Sequence, residues 1–281
     1  MENTGRSSIL CPNCRKLISS DEPRCPYCGT AHPGSRWKNN PWTRGINSPD
    51  QLINGIIVVN VIMFVLSLLL NPSLTGLSLN PFTFLSPDNS SLLLLGATGT
   101  IPIGRFDRWW SLISATYLHG GILHILFNMM ALRQIGPLII REYGPYRMVV
   151  LYTAGGVLGY VASYVAGVRF TIGASAAVCG LIGAALYYGK SRGGAYGQVI
   201  YSQVGSWAVS LFIFGFLVPG INNWAHGGGM LAGGLFGMLL GYNERKPESL
   251  VDKGFAGICV TATLAILGWA IASALFYRVM G

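Results

Sequence analysis

Residues 223–242 read NWAHGGGMLAGGLFGMLLGY, an apolar, glycine-rich segment with one ionisable residue, His226, near its start. Ser175, in the run Gly173-Ala174-Ser175, lies near the start of another such segment. Both segments are long enough to cross much of a bilayer, where a polar group is costly and usually has a function. A hydroxyl and an imidazole are the two parts of a nucleophile–base pair. The two segments therefore predict a serine hydrolase built inside a membrane.

The composition also indicates a membrane protein. Of the 281 residues, 51% are hydrophobic and only 10% are charged, which is too few charges for an ordinary soluble surface. Long apolar runs recur along the chain and predict seven helices in an all-α membrane fold. We place these helices near residues 52–70, 122–141, 146–166, 175–189, 206–218, 223–242 and 254–277.

The positions of the positive charges predict the orientation. Lysine and arginine lie before the first predicted helix and in every second loop after it, as in cytoplasmic segments. These residues are Arg36, Lys38, Arg44, Arg141, Arg147, Lys190, Arg192, Arg245, Lys246 and Lys253. We therefore expect a cytoplasmic N-terminus, with Ser175 and His226 both near the outer face. Because no base-reading motif accompanies the net charge of +9, we expect no nucleic-acid partner.

Residues 1–35 are predicted to form a separate cytoplasmic unit. They contain four cysteines in two CxxC knuckles, Cys11, Cys14, Cys25 and Cys28. Four thiolates at this spacing predict a structural Zn²⁺ site in a zinc-ribbon-like unit, and we expect no cofactor for catalysis. Paired disulfides are the alternative, which a reducing cytosol disfavours. The unit could recruit a cytosolic protein partner.

Two further segments separate the predicted domains. Residues 36–50 contain Pro41 and Pro49 and are typical of a linker. Residues 71–121, between the first and second helices, are too long for a plain connection. We expect this insert to carry structure or function of its own.

The length of the fourth helix predicts the depth of Ser175. About fifteen helical residues span about 22 Å, whereas the hydrocarbon core is about 30 Å thick. If the inner end reaches the cytoplasmic boundary, Ser175 lies roughly 8 Å below the outer one. The preceding segment, Val168–Ala174, must then dip into the membrane without helical structure, which requires burial by protein or access to water. Hydrolysis needs that water, so we expect a wet pocket that opens outward.

Two ladders of small residues predict that the fourth and sixth helices pack closely. Their members are Ala176, Gly180 and Ala184 on the fourth helix and Gly229, Gly233, Gly237 and Gly241 on the sixth. Small residues at every fourth position let membrane helices approach one another. Close packing would bring the His226 imidazole within reach of the Ser175 hydroxyl. Since neither residue has a carboxylate nearby in the sequence, a Ser-His dyad is predicted rather than a triad.

The second helix offers candidate oxyanion donors. His124 and Asn128 are four residues apart and therefore share one helix face. An imidazole N–H and an amide NH₂ are suitable donors to a developing oxyanion. Each residue taken alone also has another interpretation. Ser175 could be a small packing residue, and His226 could be a hydrogen-bonded structural group or part of a proton path. His124 and Asn128 could simply tie helices together. The conjunction of four polar side chains on three helices at one approximate depth favours the functional interpretation.

These residues stand in motifs that resemble those of the rhomboid family of intramembrane serine proteases. The matching stretches are Tyr117-Leu118-His119-Gly120-Gly121, His124xxxAsn128-Met129, Gly173-Ala174-Ser175 and Ala225-His226xxGly229xxxGly233. The resemblance covers residues 51–245 as a six-helix catalytic core, with 71–121 as the first loop. Residues 246–281 lie outside this core and are predicted to form an additional seventh transmembrane helix.

The resemblance implies roles for the same residues. Ser175 would be the nucleophile and His226 the general base and acid, while His124, Asn128 and the Ser175 backbone N–H would stabilise the oxyanion. Family members cleave transmembrane segments of other membrane proteins near the outer face, which implies a multi-pass protein of the bacterial cytoplasmic membrane with membrane-protein substrates. The alternative is a pseudoprotease that binds membrane clients without cleaving them. A transporter is the third class, which the lack of an inverted repeat disfavours.

The chain departs from the family pattern in two places. Ala176 follows the nucleophile where the family has glycine, and its methyl group could crowd the oxyanion hole or the turn. The Trp-Arg pair of the first loop is disturbed, because Ser111 follows Trp110 and the nearby Arg108 precedes it. The second departure concerns docking of the loop more than the chemistry.

Overall fold

The computed structural model describes residues 8–12, 16–30, 32–35, 49–71, 76–77, 84–218 and 220–280. The chain divides into two compact units, Met1–Leu52 and Ile53–Gly281. The first unit contains the strands β1 (Ser8–Leu10) and β2 (Leu17–Ser19), which pair antiparallel. Its small core consists of three buried side chains, Cys11, Ile18 and Cys25.

The first long helix, α1 (Pro49–Leu70), is followed by an insert with its own secondary structure. Its elements in chain order are β3 (Gly76–Leu77), β4 (Phe84–Ser86), α2 (Asn89–Leu94), α3 (Thr100–Phe106), α4 (Ser111–Ser114) and a 3₁₀ turn (Ala115–Tyr117). The strands β3 and β4 pair antiparallel. Asp88 caps α2, because its carboxylate accepts hydrogen bonds from the backbone N–H groups of Ser90 and Ser91.

Six more long helices follow the insert. They are α5 (Ile122–Tyr143), α6 (Pro145–Val165), α7 (Ser175–Arg192), α8 (Gly194–Leu217), α9 (Asn223–Leu240) and α10 (Leu250–Met280). With α1, the described part of the chain has seven helices of 18 or more residues, which confirms the predicted number and the all-α fold class.

Six of the seven helices differ in length from the prediction, and the differences in α8 and α7 have a clear physical reason. α8 begins twelve residues earlier than expected, at Gly194, because its first half carries polar residues that hide it from a search for apolar runs. α7 extends three residues further, so Lys190 and Arg192 lie in its last turn instead of in a loop. Positive side chains there interact favourably with the C-terminal end of the helix dipole.

The two helices that carry Ser175 and His226 differ in composition from most of the others. Among the described residues, α1, α5, α6, α8 and α10 are long and apolar enough to cross a membrane. α7 and α9 are richer in glycine and alanine, and α7 is buried along most of its length. Because they face other helices more than lipid, small residues serve their packing better than large apolar ones.

Close backbone packing joins α7 to α9, with α6 beside both. Three pairs of small residues meet between them: Gly229 with Ala176, Gly233 with Gly180, and Gly237 with Ala184. A Cβ on Gly233 would overlap the carbonyl oxygen of Gly180, so only glycine fits there. The predicted ladders therefore face each other, and the predicted close packing of these helices is confirmed.

A buried arginine attaches the seventh helix to the others. Arg147, near the start of α6, is fully buried and donates two hydrogen bonds of 3.1 Å to the carboxylate of Asp252 in the first turn of α10. It also donates to the carbonyl oxygens of Gly241, Lys246 and Pro247 in the loop before α10. All of these bonds are charge-assisted, so Arg147 fixes both the loop and the start of α10.

Candidate active site

Ser175 is the first residue of α7 and is half-buried. The first-turn N–H groups of a helix have no intrahelical acceptor, and the N-terminal end of the helix dipole favours negative charge. The Ser175 backbone N–H is therefore available to an anion that forms beside its hydroxyl.

The segment before Ser175 is non-helical, as predicted, and the insert holds it in place. Thr171 and Thr98 exchange backbone hydrogen bonds of 2.8 and 3.1 Å. The N–H groups of Thr100 and Ile101 donate to the carbonyl oxygens of Val168 and Arg169 at 2.9 and 3.2 Å. Protein groups thus satisfy this irregular backbone, which is the condition for placing it at membrane depth.

Gly173 is fixed at both of its backbone polar groups. Its N–H donates to the carbonyl of Ala115 at 2.9 Å, and its own carbonyl accepts the hydroxyl of Tyr160 on α6 at 2.6 Å. Its φ of +124° disfavours any side chain. These contacts hold the chain two residues before Ser175.

The imidazole of His124 places its Nε2 atom beside Gly173. The N–H of Gly120 donates to His124 Nδ1 at 3.2 Å, so a neutral imidazole carries its proton on Nε2. A Cβ built on Gly173 would lie 2.7 Å from His124 Nε2 and 3.7 Å from Ser175 Oγ. The Nε2–H donor of His124 and the Ser175 hydroxyl therefore both lie near the side of Gly173 where a Cβ would project.

Asn128 lies one turn after His124 and is buried. Its side-chain NH₂ donates one hydrogen bond to the His124 carbonyl at 2.8 Å. An amide has two N–H donors, so the second remains for another acceptor.

His226 lies in the first turn of α9 and is 3% exposed. Its neighbour Ala225 and the residue after Ser175, Ala176, meet at Gly159 on α6, where a Cβ would lie 2.6 Å from the Ala225 carbonyl oxygen and 3.0 Å from the Ala176 Cβ. His124 Nε2 and Ser175 Oγ lie beside Gly173. Asn128 lies one turn after His124, and His226 lies on α9, which packs against α7.

The described residues show no hydrogen bond between Ser175 Oγ and the His226 imidazole. His226 Nδ1 is buried and has no hydrogen-bond partner among them. Ser175 and His226 lie on helices that pack together, α7 and α9, but their side chains are not hydrogen-bonded in this conformation. Such contacts are often loose in a site without substrate.

Asn222 is a supporting residue that the sequence reasoning missed. Its Oδ1 accepts the N–H of Ala225 at 3.1 Å and caps α9. Its Nδ2 donates to Ser163 Oγ at 2.6 Å and to Thr171 Oγ1 at 3.0 Å. Asn222 thus connects the start of α9 to α6 and to the segment before Ser175. Asparagine just before an apolar helix is a capping signal, which could have identified this role.

Comparisons with known proteins agree with this arrangement. Residues 107–243 match the family described as the Rhomboid domain. The chain is 31% identical over 134 residues to YdcA of Bacillus subtilis, named as a candidate rhomboid protease, and the match covers 47% of this chain and 67% of that protein. The chain belongs to the rhomboid family.

Other rhomboids match a larger share of this chain but a smaller share of themselves. Rhomboid protease GluP of Bacillus subtilis is 34% identical over 148 residues, which cover 53% of this chain and 29% of GluP. RHOMBOID-like protein 4 of Arabidopsis thaliana is 31% identical over 244 residues, which cover 77% of this chain and 61% of that protein. The chain thus spans less than two thirds of the length of GluP and of RHOMBOID-like protein 4. Together with its apolar helices, family membership makes this rhomboid a multi-pass membrane protein.

The methyl group of Ala176 packs toward α6. Ala176 is fully buried in a cluster with Ala115, Tyr160 and Ala225, and its Cβ lies against the space above Gly159. The extra methyl group therefore fills space between α7 and α6.

Arg108, which precedes the two tryptophans, makes contacts within the insert. Its guanidinium donates to the Leu93 carbonyl at 2.7 Å and lies 5.9 Å from the Trp110 ring. Trp109 contacts Tyr164 on α6, with ring centroids 5.4 Å apart. The insert is thereby attached to α6 despite the altered motif.

The cysteine unit brings three thiols together. Cys11, Cys25 and Cys28 place their Sγ atoms within 4.8 Å of one another, and the fourth predicted ligand, Cys14, lies outside the described residues. The Cys11 and Cys28 sulfurs are 3.6 Å apart, beyond the length of a disulfide bond. Hydrogen bonding to Thr30 lowers the pKa of the Cys28 thiol to about 5, which favours the thiolate that metals bind. The donor set fits a thiolate-bound ion such as Zn²⁺.

Proposed function

We propose that this rhomboid is an active intramembrane serine endopeptidase. The observation that carries the proposal is the position of His124 Nε2 and Ser175 Oγ beside Gly173, with the Gly120 N–H placing the His124 proton on Nε2. Acyl transfer needs a hydroxyl with a fixed N–H donor beside it and an imidazole base, and here a buried imidazole lies on α9, which packs against α7. Relatives named rhomboid protease support the same activity.

In the proposed mechanism, Ser175 Oγ attacks the scissile carbonyl carbon while His226 accepts the hydroxyl proton. The oxyanion of the tetrahedral intermediate accepts hydrogen bonds from the Ser175 N–H, His124 Nε2–H and the second N–H of Asn128. The C–N bond then breaks as His226 returns the proton to the leaving amine. Water hydrolyses the acyl-enzyme ester and regenerates Ser175, with His226 acting as base and then as acid.

The proposed substrates are transmembrane segments of other membrane proteins, cut near the outer face. α7 is 18 residues long, or about 27 Å, with Ser175 at one end and Lys190 and Arg192 at the other. If the basic end is cytoplasmic, Ser175 lies toward the outer face of the cytoplasmic membrane. A helical segment has its carbonyl groups hydrogen-bonded, so a substrate must unwind locally before attack.

We also infer that Cys11, Cys14, Cys25 and Cys28 hold a structural Zn²⁺ ion in the N-terminal unit. The three described thiols support this inference, and Cys14 completes a CxxC knuckle with Cys11. Four thiolates would close a tetrahedral zinc site and stabilise a unit too small for a large apolar core. A cytosolic protein partner of this unit stays a prediction.

A serine-reactive fluorophosphonate probe tests the proposed activity. We expect the purified wild-type protein to be labelled, Ser175→Ala to be unlabelled, and His226→Ala to react at least about a hundredfold more slowly because the general base is lost. Ser206→Ala is the matched control, since Ser206 is exposed on α8 and bonds only within its own helix. If the wild type is never labelled yet retains membrane clients in pull-downs, the pseudoprotease alternative replaces the proposal.

A further inference from the structure

The half-buried side chain of Asn222 uses its amide oxygen and both of its N–H donors. The oxygen accepts the N–H of Ala225 and caps α9. The amide nitrogen donates to Ser163 Oγ at 2.6 Å and to Thr171 Oγ1 at 3.0 Å. Ser163 and Thr171 are both buried. A polar side chain bonded in three directions to buried partners has a fixed position.

Thr171, one partner of Asn222, is held in place independently of α9. Its backbone exchanges two hydrogen bonds with Thr98 of the insert. Thr98 is fully buried, and its hydroxyl accepts a hydrogen bond from Ser111 Oγ at 2.9 Å. Two residues after Thr171, Gly173 is bound at its N–H and its carbonyl by other elements. Thr171 is therefore the fixed end of the bond between Thr171 and Asn222.

The other end of this bond is the first turn of α9, which carries His226. The N–H of His226 donates to the Asn222 carbonyl at 3.1 Å, and the preceding N–H, of Ala225, donates to Asn222 Oδ1. The imidazole has no comparable support, because Nδ1 is buried without a hydrogen-bond partner among the described residues. In a catalytic triad a third side chain orients the imidazole through that atom. Here the position of the imidazole depends on the helix turn that carries it.

We propose that Asn222 is a positioning residue for His226. Its bond to Thr171 sets the first turn of α9 against the segment that leads to Ser175. The insert then aligns the general base as well as the nucleophile, because it holds Thr171 through Thr98. The inference rests on the proposed function for its catalytic meaning. The placement of α9 by this bond holds whether or not the protein cleaves anything.

Substitutions at both ends of the bond test the proposal. Asn222→Ser keeps a favourable N-cap residue but is one atom shorter, so we expect it to lose the bonds to Ser163 and Thr171. Thr171→Val removes the acceptor hydroxyl at similar size, and Thr171→Ser keeps it. Thr261→Val is the matched control, since Thr261 is exposed on α10. Asn222→Ser and Thr171→Val should each slow fluorophosphonate labelling by at least about fivefold, the effect of losing one hydrogen bond. Thr171→Ser and Thr261→Val should react like the wild type.

Labelling in a His226→Ala background separates positioning of the base from a general loss of structure. The residual labelling of His226→Ala, followed over long incubation, does not use the imidazole. Adding Asn222→Ser should therefore slow that residual reaction no further. With His226 present, Asn222→Ser should also give faster backbone hydrogen exchange in residues 225–228 of α9. Exchange in residues 168–173 should stay unchanged, because the insert and Tyr160 hold that segment.

Other results overturn the proposal. Unchanged labelling in Asn222→Ser and Thr171→Val would show that their bond does not position the base. If Asn222→Ser slows labelling equally with and without His226, the effect belongs to the fold and not to the imidazole. If Asn222→Ser does not fold, Thr171→Val makes the same comparison in both backgrounds. If the wild type is never labelled, the proposed activity fails, while hydrogen exchange in Thr171→Val still decides whether the bond places the first turn of α9.

Discussion

Gly173 connects the supports of the site to its chemistry. Its N–H and carbonyl are bound by Ala115 and Tyr160, and its φ of +124° suits glycine. A side chain there would also meet His124 Nε2 at 2.7 Å. Glycine two residues before the nucleophile is therefore required both by the backbone angle and by the space that the oxyanion donor occupies.

Tyr160→Phe tests the support of Gly173. The change leaves the Gly173 carbonyl without its 2.6 Å donor while keeping the ring in the core. We expect labelling of Ser175 to slow by about fivefold, since a buried hydrogen bond contributes about 1 kcal/mol. Tyr164→Phe, one turn further along α6, is the control and should react like the wild type. An unchanged rate in Tyr160→Phe would show that this bond does not position the nucleophile.

At the residue scale, the sequence identified the groups that could carry out chemistry but not all of those that hold them. Ser175, His226, His124 and Asn128 were predicted because polar residues are rare in apolar helices. Tyr160 was not, because a tyrosine in a membrane helix is common and its partner, the Gly173 carbonyl, follows from the tertiary fold alone. The contacts of a side chain with distant backbone leave no local pattern.

Arg147 shows the same limit at the scale of elements. From the sequence it is one of the positive charges that predict the orientation of the chain. In the structure it is fully buried, and its guanidinium organises the loop before α10 and the first turn of that helix. The predicted loop position explained the charge of Arg147 by membrane topology. Its burial and the five hydrogen bonds of its guanidinium come from packing, which the sequence does not display.

Arg147→Ala is expected to destabilise the protein by about 3–5 kcal/mol, because Asp252 would be left as an uncompensated buried charge. Thermal or denaturant unfolding in detergent micelles would measure the loss. Arg169→Ala is the control, since Arg169 is exposed, and should change stability little. A variant that combines Arg147→Met with Asp252→Asn should recover part of the loss. Equal stability of Arg147→Ala and the wild type would contradict this role.

The helices that carry the site were easier to predict than the one beside them. The small-residue ladders of α7 and α9 gave both the helices and their packing, because close approach needs glycine at regular spacing. The start of α8 could not be predicted in the same way. Its first turns are polar, so hydropathy does not distinguish them from a loop.

At the scale of the whole molecule, the chain has a cysteine unit and a helical unit that each form a compact body. Composition and apolar runs were sufficient to predict the membrane class, whereas the two CxxC knuckles predicted the separate N-terminal unit. The path of the insert depends on contacts such as Thr98 with Thr171, and the path of α10 depends on the ion pair of Arg147 with Asp252. No short sequence motif marks either contact.

Cys11→Ser tests the independence of the two units. We expect the purified variant to lose bound zinc, because one of four thiolates is removed, while fluorophosphonate labelling stays within about twofold of the wild type. Elemental analysis by mass spectrometry measures the metal. Cys259→Ser on α10 is the control and should keep both properties. Loss of zinc and labelling together in Cys11→Ser would show that the boundary between the units is wrongly placed.

Cleavage of a transmembrane reporter in reconstituted liposomes tests the central claim most directly, that Ser175 and His226 hydrolyse peptide bonds at membrane depth. We expect the wild type to give two fragments whose masses place the cut in the outer part of the reporter helix, and Ser175→Ala to give none. A reporter that stays intact with a folded, zinc-loaded wild type, or that is cut equally by Ser175→Ala, would contradict the account.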